Sequence, residues 1–184
     1  MPKTLFHVHH LFYVPAGNRH GNFSSPCAVT KMGLYPDLNE AHLSYYSVPV
    51  AYMLAFIPHV YANTIAGQNY DISEPRKLLE TVAKGENQEK KVYQRICRAK
   101  AAHDNAIETI GLFAAGVAVA NLANTDKKFV NTLSLGYLGL RALYTLVYVK
   151  LQDNRKWAPV RTLTWVASMG VIFALWIQAG NAMN

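Results

Sequence analysis

Four apolar stretches dominate this sequence, and each is about as long as a lipid bilayer is thick. They cover residues 43–62, 102–123, 129–149 and 160–179, and polar connectors separate them. A helix of about 20 mostly apolar residues is enough to cross the hydrocarbon core. Every backbone polar group in lipid must be hydrogen-bonded within the protein, so such stretches fold as helices. The sequence therefore predicts an all-α fold, a four-helix transmembrane bundle, over residues 43–184.

The composition supports this prediction and narrows the classes of partner. Hydrophobic residues make up 51% of the chain, yet the mean hydropathy is only +0.03 because these residues are concentrated in blocks. The net charge of +7 is unaccompanied by a basic and aromatic surface, so we do not expect a nucleic-acid partner. Cys27 and Cys97 lie on opposite sides of the first apolar stretch, and we expect no disulfide scaffold.

Residues 1–42 are punctuated by proline and glycine and predict an irregular N-terminal segment. This segment contains a loose histidine cluster, namely His7, His9, His10 and His20. No cysteine or carboxylate accompanies these histidines in the pattern of a metal site, so we do not predict a metal here.

The distribution of lysine and arginine predicts how the bundle is oriented. The connectors between the first and second and between the third and fourth spans, with their flanks, carry twelve of these residues. The opposite side carries five, and Arg141 lies inside the third span. Cytosolic loops of membrane proteins are enriched in positive charge. We therefore expect both of these connectors in the cytosol and both termini on the other side.

Three groups of polar residues are predicted to meet at that cytosolic end of the bundle. They are Arg98, Lys100, His103, Asn105 and Glu108 on the second span, Arg141, Tyr144 and Tyr148 on the third, and Arg161, Thr162 and Trp165 at the start of the fourth. Ionisable groups are costly in a membrane and usually face a protein interior or a wet cavity. We expect Glu108 to be the ion-pair partner of Arg141. The combination of cations, one carboxylate and hydroxyls predicts a pocket for a peptide-like anion. A charged helix end or a buried ion-pair network is the structural alternative.

The segment Arg98-Ala-Lys-Ala-Ala-His-Asp-Asn-Ala-Ile-Glu-Thr-Ile resembles the second-helix signature of the MAPEG family, the membrane-associated proteins of eicosanoid and glutathione metabolism. Arg141, Tyr144 and Tyr148 are similar to the third-helix pattern of that family, and Arg161-Thr162 is similar to its Arg-Ser at the start of the fourth helix. The resemblance covers about residues 43 to 180. Three positions depart from the family pattern: Ala101 stands in place of a second arginine, Thr162 replaces the serine, and Trp165 stands where tyrosine is common.

This resemblance implies a homotrimer in the endoplasmic reticulum membrane, with glutathione sites between subunits that open to the cytosol. It implies a transferase or peroxidase that acts on a lipophilic electrophile from the membrane lipid. In that picture Arg161 stabilises the glutathione thiolate, and Thr162 or Tyr148 donates a hydrogen bond to it. The remaining roles are carboxylate binding by Arg98, Lys100 and Arg141, amine binding by Glu108, and backbone orientation by His103, Asn105 and Tyr144.

Two other functions are compatible with the same residues. One is an enzyme of this fold that uses no glutathione and performs isomerase or cyclase chemistry on an apolar substrate, with tyrosines and His103 as acid and base. The other is a non-catalytic membrane protein that retains the bundle. Ala101 and Trp165 favour these alternatives, whereas the match at Arg98, Asn105, Glu108, Arg141 and Tyr148 favours glutathione.

Overall fold

The computed structural model describes residues 37–39, 42–85 and 89–183, and these are almost entirely helical. The α-helices are α1 (Leu43–Ala66), α2 (Leu78–Lys84), α3 (Lys90–Leu122), α4 (Lys127–Leu146) and α5 (Ala158–Ala182). A π-helical turn, Val147–Leu151, continues α4. By length and composition, α1, α3, α4 with its continuation, and α5 are each able to cross a membrane. The predicted all-α fold with four spans is confirmed. The N-terminal histidines and most of the predicted segment 1–42 lie outside the described residues.

Helices α1, α3 and α5 are longer than the apolar stretches that predicted them, and α5 extends by two or three residues at each end. Helix α1 continues to Ala66, and α3 begins at Lys90, well before the predicted start at Ala102. Residues 90–101 contain neither proline nor glycine and are rich in good helix formers, so the helix extends into polar sequence. The hydropathy pattern therefore predicted only the apolar part of each helix, and not its full length.

The four long helices form a bundle in which α1 packs on α3 and α4, while α5 packs on the other side of α3 and α4. Phe113 of α3 and Tyr137 of α4 stack at its centre, with ring centroids 3.9 Å apart. Close to the α3–α4 turn, the Asn131 side-chain oxygen accepts a hydrogen bond from the Ser44 backbone N–H at 2.8 Å. Apolar packing and these polar contacts fix how α1 sits against the α3–α4 hairpin.

Local signals define the ends of α4 and α5. The Asp126 carboxylate accepts a hydrogen bond from the Phe129 backbone N–H at 2.8 Å, which caps the start of α4. Asn124 takes a left-handed conformation (φ 54°) in the preceding turn. Pro159 lies in the first turn of α5, where its missing N–H costs no helical hydrogen bond. The short turn between α3 and α4 therefore makes these helices antiparallel neighbours.

The two basic connectors meet at the opposite end of the bundle from that turn. Arg95 and Arg98 of α3 both form ion pairs with Asp153, which lies between α4 and α5. The Lys150 ammonium donates a hydrogen bond to the Tyr61 hydroxyl at 2.7 Å. The first connector contains a 3₁₀ turn, Pro75–Lys77, followed by α2. We refer to this part of the bundle as the connector end.

Candidate functional site

A polar pocket of about 180 Å³ lies near the connector end, where α3, α4 and α5 come together. Its lining residues are Asn105, Tyr144, Arg161, Thr162 and Trp165. All five belong to the polar groups that the sequence placed on three separate helices. The structure thus brings members of each group into one cavity. Among the described residues that line the pocket, Arg161 is the positively charged one.

Arg161 is half-buried, and its guanidinium is held by an aromatic ring. Its Cζ atom lies 5.0 Å from the centroid of Tyr148, a cation–π contact. The centroid of the Tyr148 ring lies 5.6 Å from that of the Tyr144 ring, so the two tyrosines are in contact along the helix. Among residues 37–39, 42–85 and 89–183, no carboxylate lies within 4 Å of Arg161. Arg161 is therefore positioned and still able to bind an anion.

Tyr148 belongs to the π-helical turn Val147–Leu151. Such turns are rare and frequently occur at functional sites, because the wider turn changes the direction of the side chains. Here the turn begins three residues after Tyr144 and brings Tyr148 under Arg161. Nothing in the hydropathy pattern of the third span indicated it.

Arg141 lies beneath the pocket and is only 5% exposed. Its Nη1 donates a hydrogen bond to the Asn105 side-chain oxygen at 3.2 Å. Its Cζ atom lies 5.2 Å from the Tyr144 ring centroid and 6.0 Å from that of Tyr137. Its Nη2 is buried and has no hydrogen-bond partner among the described residues. Arg141 therefore fixes two pocket-lining side chains, Asn105 and Tyr144, from behind.

The expected ion pair between Arg141 and Glu108 is wrong. No carboxylate of the described chain lies within 4 Å of Arg141, and Glu108 is exposed on α3. Glu108 lies one helical turn closer than Asn105 to the α3–α4 turn, and it is the Asn105 amide that reaches the guanidinium. Glu108 still lies close enough to Tyr144 to interact with it electrostatically.

Two of the predicted ligand-binding cations pair with carboxylates of their own chain. Arg98 shares Asp153 with Arg95, and Lys100 pairs with Asp104 one turn along α3. The hydrogen bond from Arg95, together with the nearby charge of Arg98, lowers the pKa of the Asp153 carboxyl below its usual range. Neither Arg98 nor Lys100 lines the polar pocket. Sequence reasoning missed Asp153, because a single acid in a short charged loop has no periodicity that would indicate its partner.

His103 packs against α1. Its Nδ1 lies 2.8 Å from the Ala55 backbone oxygen, and since a carbonyl can only accept, Nδ1–H donates there. Its ring centroid lies 4.8 Å from that of His59 and 5.3 Å from that of Phe56. His103 does not line the polar pocket of a single chain. The His59–His103 contact was also missed, because the sequence indicated no register between α1 and α3.

Comparison with known proteins gives one match. The family model described as MAPEG family matches residues 45–181, about three quarters of the chain. Comparisons with curated proteins and with solved structures give no match. The matched region contains all four long helices apart from the ends of α1 and α5.

Proposed function

The chain belongs to the MAPEG family of integral membrane proteins, and we propose that it is a glutathione-dependent transferase or peroxidase acting on a lipophilic electrophile. The family includes glutathione transferases and related enzymes, and its members commonly use glutathione. The observation that carries the proposal is Arg161: a half-buried cation without a carboxylate partner in the described chain, placed against Tyr148 in a polar pocket.

The residues at the pocket fit a thiol that also bears carboxylates. A free thiol has a pKa of about 8.5, and an adjacent cation lowers it. Arg161 would stabilise the negative charge of the sulfur, and Tyr148 or Thr162 would donate a hydrogen bond to it. Each unit by which the thiol pKa falls corresponds to about 1.4 kcal/mol of preference for the thiolate. A lowered thiol pKa is what nucleophilic attack on an electrophile at neutral pH requires.

Asn105 and Tyr144 would bind the peptide backbone, since both line the pocket. Arg141 would act through them, because it contacts both and is itself buried. Its unpartnered Nη2 is a donor that a small movement could present to a ligand carboxylate. Arg98 and Lys100 would bind carboxylates only by exchanging Asp153 and Asp104 for the ligand. His103 keeps its proposed orienting role only if the ligand also contacts the α1 side of α3.

Glu108 supports a site that is shared between subunits. It is exposed on a membrane-spanning helix and forms no ion pair among the described residues. An acid inside a membrane costs roughly 2.5–3.5 kcal/mol on insertion scales. A second copy covering this face of α3, with the ligand amine beside Glu108, would remove that cost. We therefore propose a homotrimer in the endoplasmic reticulum membrane with the connector end in the cytosol.

One observation favours the glutathione-independent alternative. Lys100, which neighbours Ala101, is engaged by Asp104 and does not replace the missing family arginine in the pocket. Fewer free cations favour a substrate with fewer carboxylates. The tyrosines at the pocket would then act as proton donors to an apolar substrate.

Thiolate formation separates these functions. Purified protein in detergent should bind glutathione and show thiolate ultraviolet absorbance at neutral pH. Arg161→Ala should remove that absorbance while much of the binding remains, because the backbone-binding groups are intact. Loss of a charge-assisted hydrogen bond costs about 1.5–3 kcal/mol, so activity should fall about tenfold to a hundredfold.

The matched control is Arg155→Ala, which removes an exposed arginine from the 3₁₀ turn just before α5 that does not line the pocket. It should leave both absorbance and activity unchanged. Glutathione that binds without any thiolate signal in the wild type would favour the non-catalytic function, and no binding at all would favour the glutathione-independent enzyme.

A further inference from the structure

A second cavity, a groove of about 250 Å³, lies between α1 and α4. It shares no lining residue with the polar pocket. Two of its lining residues, Pro58 of α1 and Ala142 of α4, have small side chains that leave space between the helices. Leu54, Ile57 and Leu146 form its apolar walls. Apolar surface facing lipid is ordinary in a membrane helix, but a concave groove that ends at a cation is not.

The connector end of the groove is basic. The Lys150 ammonium donates to the Tyr61 hydroxyl and lies 4.0 Å from the centroid of the Tyr61 ring. An ammonium has three N–H donors, so two remain. No carboxylate in the described part of the chain lies within 4 Å of Lys150.

A second cation reinforces this end. Arg95 approaches the same Tyr61 hydroxyl, and Arg95 and Arg98 share the single carboxylate of Asp153. Three cations with one carboxylate leave a net positive charge around the Tyr61 hydroxyl.

We propose that this groove binds an anionic phospholipid, with its phosphate at Lys150 and Tyr61 and one acyl chain between α1 and α4. The depth fits, since Lys150 is the penultimate residue of the membrane-spanning segment Lys127–Leu151 and so lies at the membrane boundary. From Leu54 to Tyr61, α1 rises about 10 Å, which accommodates several methylene groups of an acyl chain. Basic pockets between transmembrane helices are typical headgroup sites.

The headgroup decides which lipid binds. An acyl chain in the groove gains little relative to one in the bilayer, because both surroundings are apolar. Selectivity therefore comes from charge: Lys150 attracts an anionic headgroup, and it repels the ammonium of a zwitterionic one. A phosphate is favoured over a fatty-acid carboxylate because its several oxygens can reach Lys150 and Arg95 at the same time.

The test compares two phospholipids that carry the same acyl chains, together with a free fatty acid and a free phosphate headgroup. Protein purified in neutral detergent is mixed with phosphatidylglycerol, phosphatidylcholine, oleate or soluble glycerol phosphate, and native mass spectrometry counts the molecules retained. Phosphatidylglycerol should be retained in preference to the other three. Lys150→Gln should lower its retention about fivefold, the effect of one lysine at a membrane surface. Ala142→Phe, which fills the groove and keeps the lipid from reaching Lys150, should also lower the retention of phosphatidylglycerol.

The control is Lys156→Gln, which removes an exposed charge from the same connector outside the groove and should retain phosphatidylglycerol like the wild type. Equal retention by the wild type and Lys150→Gln would overturn the proposal. Preferential retention of oleate would make this a carboxylate site instead. Binding of glycerol phosphate as tight as that of the whole lipid would show that the groove has no part in recognition.

Discussion

The contact between Arg141 and Asn105 should contribute more to stability than an ordinary hydrogen bond in a membrane protein. Neutral interhelical hydrogen bonds in membranes average about 0.6 kcal/mol in double-mutant cycles. Here the donor is charged and 5% exposed, the Asn105 oxygen is 3.2 Å from Nη1, and Nη2 is already unpaired. Loss of a hydrogen bond to a charged group costs about 1.5–3 kcal/mol. Asn105→Ala should therefore lower the free energy of unfolding by that amount.

The assay is a double-mutant cycle, with unfolding in mixed micelles of sodium dodecyl sulfate and a mild detergent. Arg141→Met replaces the cation by an apolar side chain of similar length, so in that background Asn105→Ala should cost little. The matched control is Asn63→Ala on α1. Its side-chain amide nitrogen lies 3.2 Å from His59 Nε2, and loss of this contact should cost about 0.5–1.5 kcal/mol. A coupling energy below about 0.6 kcal/mol, or the same cost for Asn105→Ala in both backgrounds, would refute the reasoning.

Four further substitutions have defined outcomes. The lowered pKa of Asp153 means that its ion pairs stabilise the fold above the unfolded-state pKa of about 3.9 and lose this effect as the pH falls through the folded-state pKa. Asp153→Asn should therefore lower the melting temperature at pH 7 and converge with the wild type in strong acid; a constant difference would contradict this. Gly111→Ala should stabilise α3 by up to about 1 kcal/mol, since no atom lies within 4 Å of the new Cβ. Gly116→Ala should lose that gain, because its Cβ would lie 3.0 Å from the Trp176 Nε1 that donates to α3; equal unfolding free energies for the two variants would contradict the packing argument. Ala101→Arg should raise the affinity for glutathione in equilibrium binding if the site is the family's site without its second arginine. An unchanged affinity would argue against glutathione as the ligand.

Hydropathy was sufficient to predict the helices because membrane insertion imposes a length and an apolar composition on each span. It could not predict where α1 ends and where α3 begins, since the helices continue beyond the apolar stretches, in α3 over polar sequence. The convergence of Asn105, Tyr144 and Arg161 was predictable as well. In a bundle of four antiparallel spans, these three residues lie at about the same depth in the membrane. Side-chain pairing was not predictable to the same degree, as it depends on the rotation of each helix about its own axis.

The true partner of Arg141 had no signal in the sequence. Glu108 lies fourteen residues before the end of α3, and Arg141 lies fourteen residues after the start of α4. In an antiparallel hairpin, residues at equal distances from the turn lie at about the same depth, so depth and charge complementarity both favoured Glu108. The rotation of each helix about its own axis instead brings the Asn105 amide to the guanidinium. The Asp153 clamp had no signal either, because it depends on how a loop folds back onto α3.

The ion pairs of Arg98 and Lys100 do not argue against a carboxylate-bearing ligand. Exposed ion pairs contribute about 0–1 kcal/mol; the Asp153 side chain is 39% exposed and its partner Arg98 is 14% exposed. A ligand carboxylate that forms a charge-assisted hydrogen bond in a more enclosed pocket gains about 1.5–3 kcal/mol. Exchange of Asp153 for such a ligand is therefore favourable on balance. In the proposed function, Asp153 holds the Arg98 guanidinium in place when no ligand is bound. Competition from Asp153 modestly reduces the affinity for the ligand.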